Sequence, residues 1–245
     1  MGHIIDFHCH ILPGIDDGSD CIDTTAKLLE MEKQQAVTDI VFTPHFYAHR
    51  MNINKFIENR DESYKKVISY IEKKAETSED IGYTKDNFHV GGEIYFFSGM
   101  SKAKDIKKLC IEGTDNILVE MPFEQWNKQV VSEINSLIYD CNLHVVIAHI
   151  ERFVKYQKDK KYFNEIINLP VSIQLNGEAF LGSIFDKRFA IKFIDSRDNI
   201  ILGSDCHNIR SRAANLGPAR EVIAKKYGKQ KLDSIDEYTK KILGI

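Results

Sequence analysis

The chain has 245 residues, 43% of them hydrophobic and 28% charged, with a formal net charge of −3 and a pI near 6.3. That composition suits one large buried core, expected as a single domain over residues 1–245, and carries no basic footprint of a nucleic-acid binder. No window approaches the roughly eighteen consecutive apolar residues of a membrane span, and the start, MGHIIDFHCH, lacks the charged and apolar regions of a signal peptide. No membrane insertion and a cytoplasmic location are therefore expected. Five cysteines without C-x-x-C spacing agree with a reducing compartment and give zinc-ribbon chemistry no support.

Along the chain, short runs rich in β-branched and aromatic residues alternate with helical patterns. The first run, HIIDFH (3–8), leads into the turn sequence GIDDG and then a helix expected over 24–36. DIVFT (39–43) precedes a long, charge-covered helix expected over 54–76, and FHVGG (88–92), NILVEM (116–121), HVVIA (144–148), VSIQL (171–175) and NIILG (199–203) complete seven candidate strands. Charge runs near 60–80 and 155–162 read as solvated helix faces. No Pro-, Gly- or Ser-rich linker, low-complexity tract or close repeat divides the chain. Strand–helix alternation implies a parallel α/β sheet with right-handed crossovers, either a barrel or incomplete barrel or an open doubly wound sheet. In all of these, function sits at the carboxyl ends of the strands.

Six of the seven candidate strands end in a side chain able to hold a metal: His8 and His10, His45, Glu93, Glu120, His149, and Asp205 with His207. Strand alternation puts Asp6, His8 and His10 on one face and Phe7 and Cys9 on the other, so H-x-H can act as a pincer. Asp205 and His207 repeat that arrangement with mixed oxygen and nitrogen donors. Of the two turn acids, Asp17 is expected to ligate and Asp16 to shape the turn or support a ligand. Glu93 and Glu120 follow mostly apolar runs, where a carboxylate needs a metal or a basic partner. His3, His49, His89 and His144 lie at strand starts or in a loop and are expected to stay apart from the site.

Nine candidates exceed the needs of one ion, so two or three ions are implied. Histidine and carboxylate donors without sulfur suit manganese, iron or zinc. Such ions favour in-line attack on a phosphoryl group, which makes phosphoester hydrolysis the natural chemistry. Arg152 and Arg212 are placed to hold an anionic substrate, the alternative for each being a surface salt bridge. A rival lies in Cys206–Arg212, which matches the C-x5-R loop of cysteine-dependent phosphatases but lacks the glycines that let backbone N–H groups surround an anion. Tyr47, Phe56 and Tyr64 could border a peptide groove, but as core or surface residues they need no such role.

Taken together, HCHILPGIDDG, TPH, GGEIYF, LVEMPF, AHIERF and SDCHN, in this order from residue 8 to 208, resemble the polymerase and histidinol phosphatase (PHP) superfamily. Within it they are most similar to the manganese-dependent protein-tyrosine phosphatases of bacterial capsular and extracellular polysaccharide operons. The resemblance implies a distorted seven-stranded β/α barrel and a trinuclear, manganese-preferring centre. The ligands it implies are His8, His10, Asp17, His45, Glu93, Glu120, His149, Asp205 and His207. It further implies a metal-bound hydroxide as nucleophile, phosphate held by Arg152 and Arg212, and a partner tyrosine kinase with a phosphotyrosine-rich tail. Alternatives are a phosphatase of histidinol phosphate or another small phosphomonoester, and a non-catalytic metal-bearing regulatory module. Cys9 and Cys206, between ligands, depart from the residues common at those positions.

Overall fold

A computed structural model describes residues 3–77 and 81–245 of the chain. Among the described residues nine strands form, and every one of their ladders is parallel: β1 (Ile5–Cys9), β2 (Asp39–Phe42), β3 (His45–Phe46), β4 (Phe88–Val90), β5 (Glu93–Tyr95), β6 (Asn116–Glu120), β7 (His144–Ile147), β8 (Ser172–Asn176) and β9 (Ile200–Gly203). Each of the seven expected runs overlaps a strand, with β1 and β8 each reaching one residue past the run. One sheet has the order β1-β2-β4 and the other β3-β5-β6-β7-β8-β9. Neither order reverses direction as a doubly wound sheet does.

Two expected strands are broken, for local reasons. The run 39–43 stops before Pro44, which has no N–H to donate to a ladder, and resumes as β3. The run 88–92 breaks at Gly91 and Gly92, where an added Cβ would lie 2.9 Å from Ile111 Cγ1 and 2.9 Å from Phe56 Cζ respectively. Partners are kept across both breaks. Gly91 N–H donates to the Phe42 carbonyl (2.8 Å) and Glu93 N–H to that of Pro44 (2.9 Å), so β2/β3 and β4/β5 run side by side from one sheet into the other. At the other margins, β1 meets the end of β9 through a parallel bridge between Cys9 and Cys206. Asp205 N–H donates to the His8 carbonyl (2.7 Å) and His10 N–H to that of Cys206 (2.9 Å) across this join.

The helices are α1 (Ile22–Gln34), α2 (Ile53–Glu76), α3 (Lys128–Tyr139), α4 (Lys161–Ile167), α5 (Glu178–Leu181), α6 (Ile184–Ser196), α7 (Leu216–Tyr227) and α8 (Lys229–Leu243). The expected helices 24–36 and 54–76 correspond to α1 and α2, whose start is capped by the Asn52 side chain accepting from Lys55 N–H. Among the described residues, no helix is long and apolar enough to cross a membrane.

The core separates into two clusters, and their membership corrects one expectation. Ile5, Phe7, Val41, Leu118, Val146 and Ile201 pack with Leu243 of α8, whereas Cys9 belongs to the larger cluster beneath the helices. Phe7 and Cys9 therefore do not share a face, and Asp6 does not side with His8 and His10. The β1 register shifts between Asp6 and Cys9, and a bulge of that kind breaks strict alternation. Asp6 instead accepts from Ser204 N–H (2.8 Å) and His8 N–H (3.2 Å), which ties β1 to the segment after β9.

Candidate metal centre

The carboxyl ends of the strands bring His8, His10, Glu93 and Asp205 to one point. His8 Nε2 and His10 Nε2 are 3.1 Å apart. Both lie 3.3 Å from Glu93 Oε2, and Asp205 Oδ1 is 3.5 Å from His8 and 3.3 Å from His10. Donors about 2.1 Å from one ion sit about 3.4 Å apart in a tetrahedron and about 3.0 Å apart at adjacent octahedral corners. The observed separations, from 3.1 to 3.5 Å, lie within about 0.1 Å of that interval.

Ring orientation supports the same reading. His8 Nδ1 faces Gln174 Oε1 (3.0 Å) and His10 Nδ1 faces Asp16 Oδ2 (2.7 Å), so each Nδ1–H has an acceptor and each Nε2 presents its lone pair inward. Two lone pairs facing each other require a proton or a cation between them. His207 is held alike, with Nδ1–H donating to the Asp205 carbonyl (2.9 Å).

Further groups surround this one and share its members. His149 Nε2 lies 2.7 Å from Glu93 Oε1 and 3.6 Å from Glu120 Oε1, while His45 Nδ1 lies 2.9 Å from Glu93 Oε2. Asp17 Oδ1 lies 3.5 Å from His45 Nε2 and 3.6 Å from His207 Nε2. All nine sequence-derived candidates are thus in one continuous network, with Glu93 at its centre. His3 (2.7 Å from Asp39) and His144 (2.6 Å from Ser172) have their own partners, and His49 and His89 also stand apart from the network.

The donor set fits divalent cations on two observations. His45 Nδ1, Glu93 Oε2, His149 Nδ1, Asp205 Oδ1 and His207 Nε2 are buried without a hydrogen-bond partner, a state that normally demands an explanation. The electrostatics are also unbalanced. Burial opposes charge on His8, yet Glu93 and Asp205 outweigh it and raise its pKa; on His10 Asp16 has the same effect. Burial together with Glu93 and Asp205 pushes Glu120 up to about 9, while burial and His10 bring His207 down to about 3. Positive charge inserted among these groups would relieve the carboxylate repulsion.

The supporting residues include several that the sequence reading missed. Asp16, assigned to the turn or to ligand support, accepts from both His10 and the His45 N–H (3.0 Å). Gln174 and Asn176 were not anticipated. Gln174 Oε1 also accepts from His149 N–H (2.6 Å), its Nε2 donates to Asn176 Oδ1 (2.8 Å), and Asn176 Nδ2 donates to Asp205 Oδ2 (2.9 Å). Their signal was two polar residues at alternate positions of an apolar strand, the one strand that supplied no ligand. His149 and Asp205 have φ of 25° and 53°, left-handed values that non-glycine residues seldom adopt and that concentrate at functional sites.

Above the network lies a cavity of about 370 Å³ lined by His45, Tyr47, Glu93, Glu120, Phe123, His149, Arg152, Asp205 and Arg212. Arg152 Nη1 and Arg212 Nη2 converge on Asp205 Oδ2 at 2.7 and 2.9 Å. Of the three residues considered for a groove, Tyr47 reaches this cavity; Phe56 is fully buried and Tyr64 packs on Phe42. Cys206 is fully buried with its thiol directed at Glu32 Oε1 (3.8 Å), so it has no surface to offer a phosphoryl group. Asp6, Glu32 and Cys206 form another buried donor group, but Asp6 is already engaged by Ser204 and the β1 backbone.

Fold and site together define a parallel β/α protein with a candidate polynuclear metal centre at the strand carboxyl ends. More particularly, the family model described as capsular polysaccharide synthesis, CpsB/CapC, matches residues 4–243, and the chain belongs to that family. It is 26% identical over 240 residues to the tyrosine-protein phosphatase CpsB of Streptococcus agalactiae serotype III, covering 95% of this chain and 94% of that one. It is also 26% identical over 238 residues to the tyrosine-protein phosphatase YwqE of Bacillus subtilis, covering 93% and 86%. A solved chain from work on YwqE of Bacillus subtilis and CpsB of Streptococcus pneumoniae, described as unique metal-dependent tyrosine phosphatases, superposes with a TM-score of 0.80. That match has 22% identity and covers 98% of this chain and 94% of the other.

Proposed function

We propose that this chain is a metal-dependent protein-tyrosine phosphatase, working as a single domain on a distorted seven-stranded β/α barrel. Manganese is the preferred metal, and two or three ions are shared among His8, His10, Asp17, His45, Glu93, Glu120, His149, Asp205 and His207. The observation that carries this reading is the convergence of nine histidines and carboxylates beneath a cavity flanked by Arg152 and Arg212. The names of the similar phosphatases support the same activity. Counting β2/β3 and β4/β5 as one stave each leaves seven, and the Cys9–Cys206 bridge joining β1 to the end of β9 supports closure.

Divalent ions at this site would polarise the phosphoryl group and activate the attacking water. The chain's own residues do the rest. Arg152 and Arg212 both hold Asp205 Oδ2 and line the cavity, so they can present their guanidinium forks to the non-bridging phosphoryl oxygens. Gln174, Asn176 and Asp16 hold the ligand rings and carboxylates in place before substrate arrives. A tyrosine leaving group, with a pKa of about 10, needs less help from a general acid than an alkyl alcohol, and no dedicated acid is assigned. The partner in this reading is a bacterial tyrosine kinase with a phosphotyrosine-rich tail, which agrees with the family's description, capsular polysaccharide synthesis.

The test is hydrolysis of a phosphotyrosine peptide after chelation and manganese restoration, with wild type, His207→Ala and Cys206→Ser side by side. Recovery only with metal, loss in the histidine variant and survival in the cysteine variant are expected. Chelator-resistant activity that disappears with Cys206 would refute the metal reading.

A further inference from the structure

We propose that Tyr47 and Phe123 form an aromatic clamp that grips the ring of an aryl phosphate and sets the preference of the site for aryl over alkyl phosphomonoesters. This inference rests on the phosphatase reading above and identifies what would recognise the organic part of the substrate. Of the cavity's lining residues, the other seven are the candidate ligands His45, Glu93, Glu120, His149 and Asp205 and the two arginines. Those seven suit the phosphoryl end. Tyr47 and Phe123 contribute the broad carbon surfaces.

Their positions suit a sandwich. Tyr47 directly follows β3 and Phe123 lies shortly after β6, and the sheet order β3-β5-β6 leaves a single strand between them. Two inter-strand spacings of about 4.8 Å separate these strands by roughly 10 Å. A ring inserted at about 5 Å from each flanking ring needs a similar gap. Each aromatic also stands beside a candidate metal ligand: the Tyr47 ring centroid is 5.2 Å from that of His45, and Phe123 stacks on His149 at 6.4 Å and 22°. The clamp therefore lies beside the groups that would hold the phosphate, where the aryl ring of a bound ester emerges.

Each ring also packs against further side chains. Arg50 sits 4.6 Å from the Tyr47 centroid and Tyr95 5.7 Å away, while Phe153 and Tyr156 support Phe123 at 4.9 and 5.8 Å. Despite that support Phe123 remains 40% exposed. A braced but uncovered phenylalanine at the mouth of a polar cavity is a ready contact surface for an aromatic ligand. Fixing both walls before binding reduces the ordering cost of gripping the ring.

The experiment compares phenylphosphonate with methylphosphonate, neither of which can be hydrolysed, by calorimetric binding to the manganese-loaded protein. Leaving-group ability is thereby removed from the comparison. The wild type should bind phenylphosphonate roughly tenfold more tightly, as expected from two aromatic contacts. Phe123→Ala and Tyr47→Leu should each reduce that preference several-fold while leaving methylphosphonate affinity unchanged, and Phe123→Tyr should retain it. With an aryl phosphate as substrate, Phe123→Ala should raise KM with little change in kcat, because the ring contact is the same in ground and transition states. An equal loss of affinity for both phosphonates in Phe123→Ala, or an unchanged preference in both the Phe123→Ala and Tyr47→Leu variants, would overturn the clamp while leaving the phosphatase reading standing. Failure of the wild type to bind either phosphonate or to hydrolyse the aryl phosphate would overturn both.

Discussion

Replacing Gln174 with Leu should weaken metal binding as well as destabilise the fold, although Gln174 touches no metal in the proposed scheme. Its Oε1 accepts from His8 Nδ1 at 3.0 Å and from His149 N–H at 2.6 Å, and both donors are buried. Leucine offers neither acceptor. Leaving a buried donor unpaired costs about 1–3 kcal/mol, so two lost acceptors correspond to about 2–6 kcal/mol before relaxation. Little relaxation is available, because a Cβ on neighbouring Gly203 would already lie 2.6 Å from His8 Cβ and 2.9 Å from Gln174 Nε2. The freed His8 ring can turn Nε2 away from Glu93 and Asp205, and loss of such support typically lowers metal affinity about 10- to 100-fold. Manganese affinity would be measured by chelator competition, alongside thermal unfolding of the metal-free protein. Gln174→Glu, which keeps an acceptor for both donors, should bind metal far better than Gln174→Leu. A folded Gln174→Leu protein with wild-type manganese affinity would refute the argument that this side chain orients the ligands.

Three other outcomes are expected. Gly18→Ala should destabilise the protein by about 1–3 kcal/mol and lower metal affinity, because its Cβ would lie 2.2 Å from the His10 carbonyl oxygen and 2.9 Å from Asp16 Oδ1; calorimetric unfolding and metal titration check both effects. Arg152→Lys should raise KM for a phosphomonoester about tenfold or more at unchanged metal content, since an ammonium cannot keep Asp205 and also present a fork to phosphate; steady-state kinetics with metal analysis would show it. Burial lowers the pKa of His89 and His144 below the ordinary histidine value of 6.5. Below about pH 6.5 the unfolded chain then binds more protons than the folded one, so this stability is complete above that pH and is lost as pH falls toward the folded values. His89→Gln with His144→Gln should therefore show a smaller drop in Tm between pH 8 and pH 5.5 than wild type, and equal drops would count against the assignment.

Local rules carried much of the site. H-x-H at 8–10, D-x-H at 205–207 and the acid pair at 16–17 could be read because side-chain alternation and turn chemistry act over a few residues. Pro44 and Gly91-Gly92 carried the signals of the two strand breaks, yet only the tertiary fold decided that the segments beyond them join a different sheet. The bulge in β1, which parts Phe7 from Cys9, likewise depends on pairing with β2. Gly18 was legible only as part of the turn sequence GIDDG; the packed chain shows its close approach to His10. Gln174 and Asn176 became supports for His8, His149 and Asp205 only when strands distant in sequence were set side by side. The sequence by itself determined which side chains could bind metal and at which strand ends they sit, because those properties belong to residue type and local period. The tertiary structure alone decided which of them share one point and what holds their rings, because those distances depend on crossovers spanning tens of residues.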